Sequence, residues 1–264
     1  KVRELRGAIR NLAIRGVLTR RKHGEAPASE LLVRLEHERN RRVKNKEARR
    51  TEPLPVVAPD EVPFGLPPSW AWTRLGDLCW KVADGPHFSP NYVTKEQGVP
   101  FLSGRNIKVD GFELESVKYV SVEDHNAFCE RTKPEPGDIL YTKGGTTGVA
   151  LVNDLDFEFS VWVHVAVLKV EPASVFAPYV AMALNSPHCY AQSQRLTHGT
   201  GNRDLGLTRM VKITLPLPPL EEQRRIVAKV EQLMKVCDEV EVRLRRADEG
   251  AAKLVEAVVQ ELVA

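Results

Sequence analysis

The feature that most constrains this chain lies at its C-terminal end. Ile226, Val230, Leu233, Cys237, Val240, Leu244, Ala247, Ala251, Leu254 and Val258 are spaced alternately by four and three residues, with charged residues filling most positions between. A seam sustained this long defines a helix with one narrow apolar stripe, the pattern of a coiled coil. Over residues 220–264 it makes a rod roughly 65–70 Å long at about 1.5 Å per residue. A lone stripe on such a rod needs a partner. Residues 1–20 offer one, because Leu5, Ala8, Ile9 and Leu12 recur at helical spacing and Leu5-Arg6-Gly7-Ala8-Ile9 echoes Leu254-Val255-Glu256-Ala257-Val258. A second polypeptide is the other.

Turn and breaker residues divide what lies before the rod. A break at 24–27 precedes a second helical stretch with Ser29 as N-cap and Leu31, Leu32 and Leu35 on one face. That stretch runs into a basic block, Arg39, Arg41, Arg42, Lys44, Lys46, Arg49 and Arg50, which either tracks phosphates or is a solvated helix face. Pro53, Pro55, Pro59, Pro63, Pro67 and Pro68 then forbid helix and give a stiff, extended linker. Beyond Trp70 the texture becomes short strands and turns. Residues 98–102 and 137–142 read as turn-plus-strand units. Residues 161–170 read as one central strand, apolar on both faces, with His164 inside it as a hydrogen-bonded core histidine. Helices are expected at 176–185 and at 187–196, where Ser186-Pro187 supplies a cap and a first-turn proline. The expected plan is a mixed α/β (α+β) fold: an N-terminal helical region (1–52), a Pro-rich linker (53–69), a mixed α/β globular domain (70–218) and a long coiled-coil helix (219–264).

Composition excludes more than it identifies. With 42% hydrophobic and 28% charged residues, 264 residues can bury a real core. The net charge of +3 says little about partners. Cys79, Cys129, Cys189 and Cys237 lie tens of residues apart, unlike a zinc site or a disulfide framework, so they read as reduced thiols of a cytoplasmic protein, with no metal. No apolar run reaches the roughly 20 residues that span a bilayer, and the opening Lys1-Val2-Arg3 is not a signal peptide. The absence of an initiator Met points to numbering that begins inside a longer or processed chain. P-loop, Rossmann, nucleophile-elbow, metalloprotease and zinc-deaminase motifs are all missing, as is the Asn/Asp-Pro-Pro-aromatic site of amino-methyltransferases. No catalytic residue and no cofactor are expected.

Three polar clusters carry nucleic-acid chemistry instead. Lys143-Gly144-Gly145-Thr146-Thr147-Gly148, between strand-like runs, is either a plain hairpin turn or a loop offering N–H groups, hydroxyls and Lys143 to phosphates. Residues 197–204 hold His198, Thr200, Asn202 and Arg203, and Arg105-Asn106 follows the 98–102 strand. Arginine suits guanine, asparagine suits adenine, and threonine suits either. Arg105, Asn106, Lys143, Thr146, Thr147, His198, Thr200, Asn202 and Arg203 are therefore the candidate DNA-binding residues.

At this point the motifs match a family. Leu217-Pro218-Pro219-Leu220-Glu221-Glu222-Gln223-Arg224-Arg225-Ile226-Val227, opening the long helix, resembles a segment of type I restriction–modification specificity subunits. Leu66-Pro67-Pro68-Ser69-Trp70-Ala71-Trp72-Thr73-Arg74-Leu75-Gly76 resembles the start of their target recognition domains. Residues 98–102 with Arg105-Asn106-Ile107, 137–140, 5–9, 16–18 and 27–32 are similar to further segments of the same family. The resemblance implies a non-catalytic subunit that reads one half of a bipartite site on double-stranded DNA. It also implies docking of adenine-methyltransferase subunits and, through them, the restriction/translocase subunit. Complete members carry two recognition domains, whereas this chain has one, as a half-length subunit or a piece of a longer one would. Two copies are expected to associate through the C-terminal helix, with Ile226, Val230, Leu233, Val240, Leu244, Leu254 and Val258 as the assembly seam. A stand-alone dimeric DNA-binding regulator is the alternative reading.

Overall fold

The computed structural model describes residues 2–263 except Arg21, His23 and Asn202, and gives only the backbone of Leu254, Ala257, Val258 and residues 261–263. Two helices come first, α1 (Val2–Ile14) and α2 (Ala28–Lys44). They are followed by β1 (Ala71–Arg74), α3 (Leu75–Leu78), β2 (Cys79–Asp84), β3 (Tyr92–Val93), β4 (Gly98–Leu102), β5 (Ile107–Lys108) and β6 (Gly111–Phe112). Next come β7 (Lys118–Ser121), α4 (Val122–Arg131), β8 (Ile139–Thr142), β9 (Ala150–Val152), β10 (Ser160–Val161) and β11 (Val165–Val170). The chain closes with α5 (Ala177–Leu184), α6 (Pro187–Leu196), α7 (Leu207–Met210), β12 (Thr214–Leu217) and α8 (Leu220–Val263). The mixed α/β plan and the long terminal helix are as the sequence predicts.

Local chemistry sets several boundaries. α1 stops where Gly16 takes φ +73 and its N–H reaches the Ala13 carbonyl. A side chain there would meet the left-handed penalty and also strike Pro67, 2.6 Å from an added Cβ. α2 begins at Ala28 with Pro27 as its N-cap, so Ser29 lies inside the first turn rather than capping it. α6 has the expected cap, with Ser186 Oγ accepting from the Cys189 N–H and Pro187 in the first turn.

Strands β2, β11, β8 and β9 form one antiparallel sheet in that order. β10, β4, β7 and β3 form a second, in which β10 runs parallel to β4. The single strand expected over 161–170 is in fact β10 and β11, one in each sheet. The segment between them turns, with the Val165 N–H donating to Trp162 O, while His164 O continues the β11–β8 register by accepting the Lys143 N–H and also accepts from Gly144. β11 is buried on both sides, as a central strand should be. Ala166 and Leu168 face a core shared with α1, α2, α5 and α8, while Val165 and Val167 pack with Leu102, Leu140 and Phe159 between the sheets. The short ribbon of β1 with β12 joins the two ends of the strand-rich region. Residues 53–58 are extended and Pro59–Glu61 makes one 3-10 turn, and the segment is not free, since Arg74 donates to the Pro55 and Val56 carbonyls and pairs with Glu61.

The C-terminal helix is partnered over only part of its length. α1 lies antiparallel against it: Arg6 reaches Asp238 and Glu241, each at 2.7 Å, whereas Thr19, beyond the end of α1, reaches Glu222. Ile226, Val230 and Cys237 are buried there and Leu233 is half-buried. Farther along the same seam Val240, Leu244, Ala247 and Ala251 are exposed. The foot of α8 is anchored by two buried side chains of the Leu-Glu-Glu-Gln motif. Glu222 accepts from Trp70 Nε1 and Thr19 Oγ1, both at 3.0 Å. Gln223 accepts from the Phe176 N–H and donates to Pro218 O. Removing Glu222 strands a buried indole N–H, so Glu222→Ala is expected to cost about 1–3 kcal/mol in urea unfolding. An unchanged midpoint would show that the anchor is unimportant.

Candidate nucleic-acid interface

The 143–148 segment is the hairpin loop joining β8 to β9. Thr142 closes it from both sides: its N–H donates to Val149 O, its carbonyl accepts from Gly148, and its Oγ1 accepts from the Val149 N–H. The 197–204 segment is a second loop, pinched at its base where His198 and Asp204 exchange both backbone hydrogen bonds at 2.9 Å. These loops are zipped together. The Gly145 N–H donates to Arg203 O and the Leu205 N–H to Lys143 O, with a bridge between Gly144 and Asp204. The third cluster joins them edgewise, since a Cβ on Gly104 would lie 3.4 Å from Gly144 O. Segments far apart in sequence thus meet: 103–106 and 144–146 line one cleft of about 660 Å³, and the 197–204 loop is zipped to the hairpin that forms part of its lining.

The cleft is lined by one polar set of residues and one aromatic set. Ser103, Arg105, Asn106 and Thr146 line the first; Tyr92, Phe101, Trp162 and His164 line the second, with Lys118 at 4.1 Å over the Tyr92 ring. Trp162 and His164 sit 4.6 Å apart, centroid to centroid. Burial, reinforced by the Lys143 charge and opposed by Asp204, holds the His164 imidazole below its ordinary pKa and therefore neutral at pH 7. Its ring packs over Gly144, where an added Cβ would come within 2.2 Å of it.

The predicted residues separate into two groups. Arg105, Thr146, His198, Thr200 and Arg203 are exposed around the loops, and Arg203 donates to Gln194 Oε1 at 2.7 Å. Asn106, Lys143 and Thr147 are buried, at 3%, 4% and 2% exposure, and their polar atoms are committed internally. Asn106 bonds to Ser103 and the Glu113 carbonyl, and Thr147 Oγ1 accepts from Thr197 Oγ1. Lys143 Nζ lies 3.1 Å from Asp204 and 3.4 Å from Asp84. Asn202 lies outside the described residues. Sequence reasoning missed Tyr92, Lys118 and Trp162, and took His164 for a core residue. β3 and β10 are each two residues long, too short to show a period, and β7, which brings Lys118, comes from the second sheet.

Elsewhere, the first part of the basic block is engaged within the protein. Arg39 donates to the Gly76 and Asp77 carbonyls, Arg41 pairs with Glu38, and Arg42 pairs with Glu171 and stacks on Trp80. Among the described residues, no group of three or more His, Cys, Asp or Glu could hold a metal ion, and no helix is long and apolar enough to cross a membrane.

The two-sheet fold carrying clustered polar loops, with a long helix behind, defines a recognition module. A family model described as the type I restriction modification DNA specificity domain matches residues 67–246, and the chain belongs to that family. Over 273 residues it is 27% identical to the specificity subunit of the type I restriction enzyme EcoEI of Escherichia coli, and over 275 residues it is 28% identical to that of EcoAI, from the same species. Those alignments cover 96% and 97% of this chain but 44% of each relative, so the chain spans less than half of their length. Among solved structures it is similar in fold to the HsdS subunit from Thermoanaerobacter tengcongensis, with a TM-score of 0.51 and 20% identity over 92% of this chain and 51% of that one. A chain solved in work on complex assembly and conformational transition of the type I R-M system gives a TM-score of 0.52, at 21% identity over 93% and 54%.

The close packing of His164 on Gly144 supports a direct test. Gly144→Ala should destabilise the protein by about 1–3 kcal/mol through overpacking. Adding His164→Ala should return most of that loss, read as urea midpoints in a double-mutant cycle. Additive losses would contradict the packing described.

Proposed function

We propose that this chain is the DNA-reading part of a type I restriction–modification specificity subunit and performs no catalytic step itself. The observation that carries this reading is the convergence of three loops: Arg105 and Thr146 line one cleft, and the hairpin that bears Thr146 is zipped to the loop that exposes His198, Thr200 and Arg203. Two arginines with hydroxyl and imidazole groups can address base edges and phosphates together. Residues 70–218 act as the recognition domain, carried by helices from 1–52 and 219–264, with 53–69 strapped along them. The domain reads one half of a bipartite site on double-stranded DNA in the cytoplasm. The helices dock adenine-methyltransferase subunits and, through them, the restriction/translocase subunit.

The seam beyond α1, where Val240 and Leu244 are exposed, serves a second copy of the chain. Two heads held on a helix of 44 residues, about 66 Å long, can sit up to about two DNA turns apart. Co-expression with the methyltransferase subunits of its own system, followed by mapping of modified adenines, tests both parts. The expected target is palindromic and interrupted, and Arg105→Ala and Arg203→Ala should each weaken specific binding by about 1–3 kcal/mol. An asymmetric target contradicts the two-copy arrangement. Modification that is independent of the chain contradicts the reading itself.

A further inference from the structure

Lys143 looks, in sequence, like a residue that meets DNA, yet its place in the fold is different. Its ammonium is nearly inaccessible, at 5% side-chain exposure, and sits between two carboxylates. Asp84, at the end of β2, is itself buried and is also held by Arg131 and His87. Asp204 closes the base of the 198–204 loop through its backbone, and its carboxylate and carbonyl both accept from Arg209. A phosphate approaching Lys143 would have to displace one of these carboxylates from a poorly solvated site.

What Lys143 does hold is the loop. The segment from His198 to Asp204 contains Gly199 and Gly201, and ordering a residue costs roughly 1–2 kcal/mol, with glycine losing the most freedom. Among the described residues, His198 and Asp204 bond to each other through their backbones, and the Arg203 carbonyl ties the segment to the Gly145 N–H. The Lys143 ion pairs add a side-chain tie at the same point and join it to β2 in the sheet below. Burial alone would push the Asp204 carboxyl up. The Lys143 hydrogen bond and charge, with the Gly206 amide and Arg209, outweigh that and hold it below the usual range, so it stays ionised at neutral pH.

We propose that Lys143 is a positioning residue: through Asp204 and Asp84 it aims the 198–204 loop, and so sets how well the protein tells its target from other DNA, without touching DNA itself. This rests on the DNA-reading function above, and two separate readouts keep the two claims apart. The first needs no DNA. In the free full-length chain, Lys143→Met and Asp204→Asn should each speed amide hydrogen exchange across 198–206 by at least about tenfold. Lys143→Arg should restore most of the protection.

The second readout uses the full chain with its methyltransferase. Competition between the mapped target duplex and a scrambled duplex of equal length is followed at several salt concentrations. Lys143→Met and Asp204→Asn should each cut the target preference about tenfold, and the double variant should do no worse than the worse single one. The slope of log affinity against log salt should not change. A slope lowered by about one would make Lys143 a phosphate contact and overturn the proposal, as would unchanged exchange at 198–206. If Lys143→Met fails to fold, Asp204→Asn, whose side chain is 46% exposed, decides the matter alone. Target preference that survives Arg105→Ala with Arg203→Ala would sink the DNA-reading function, while the exchange measurement would still decide the pin.

Discussion

A carboxylate at the foot of the long helix ties the chain together. Glu222 is 2% exposed, and its two oxygens accept from Trp70, at the start of the strand-rich region, and from Thr19, just after α1. Left without partners at that depth it would be costly, so the three segments are held to one arrangement. Gln223 beside it fixes the approach to α5, and the β1–β12 ribbon closes the domain a few residues away. The Leu-Pro-Pro motifs at 66–68 and 217–219 flank this junction. They recur as a pair because each delivers one side of the same joint.

From that joint the division of labour follows. The core that seats α1, α2, α5 and α8 lies on one side of β11, and a smaller core between the two sheets lies on the other. The loops that cross the ends of β4 and β8, and the one after α6, are carried on this double support, so exposed side chains can project from rigid ground. Within the loops, buried polar residues set the shape and exposed ones are left for a ligand. Asn106 ties its own turn, Thr147 ties the hairpin to Thr197 after α6, and Lys143 ties the hairpin to β2 and the 198–204 loop.

Elements governed by local periodicity were legible in the sequence. The heptad spacing located α8, the 1–20 pattern located α1, and Ser186-Pro187 located the start of α6. Features set by distant partners were not. The seam reads the same at Ile226 as at Leu244, so only the structure tells that α1 covers one and leaves the other exposed. The alternation through 161–170 hides the break between β10 and β11, where the Val165 N–H turns back to Trp162 O and the chain passes from one sheet to the other. Lys143 itself looks like an exposed loop cation until Asp84 and Asp204 are placed beside it. The three polar clusters could be found by composition, but their convergence depends on contacts between loops far apart in the chain.

On the function proposed above, the merged loops, rather than the basic helix, face DNA. Photo-crosslinking tests it most directly, with a benzophenone side chain placed singly at Thr146, Thr200 or, as a control, Arg34 on α2. All three positions are exposed. In the complex with methyltransferase and target duplex, crosslinks are expected from positions 146 and 200 and not from 34. Crosslinks from 34 alone would contradict the account.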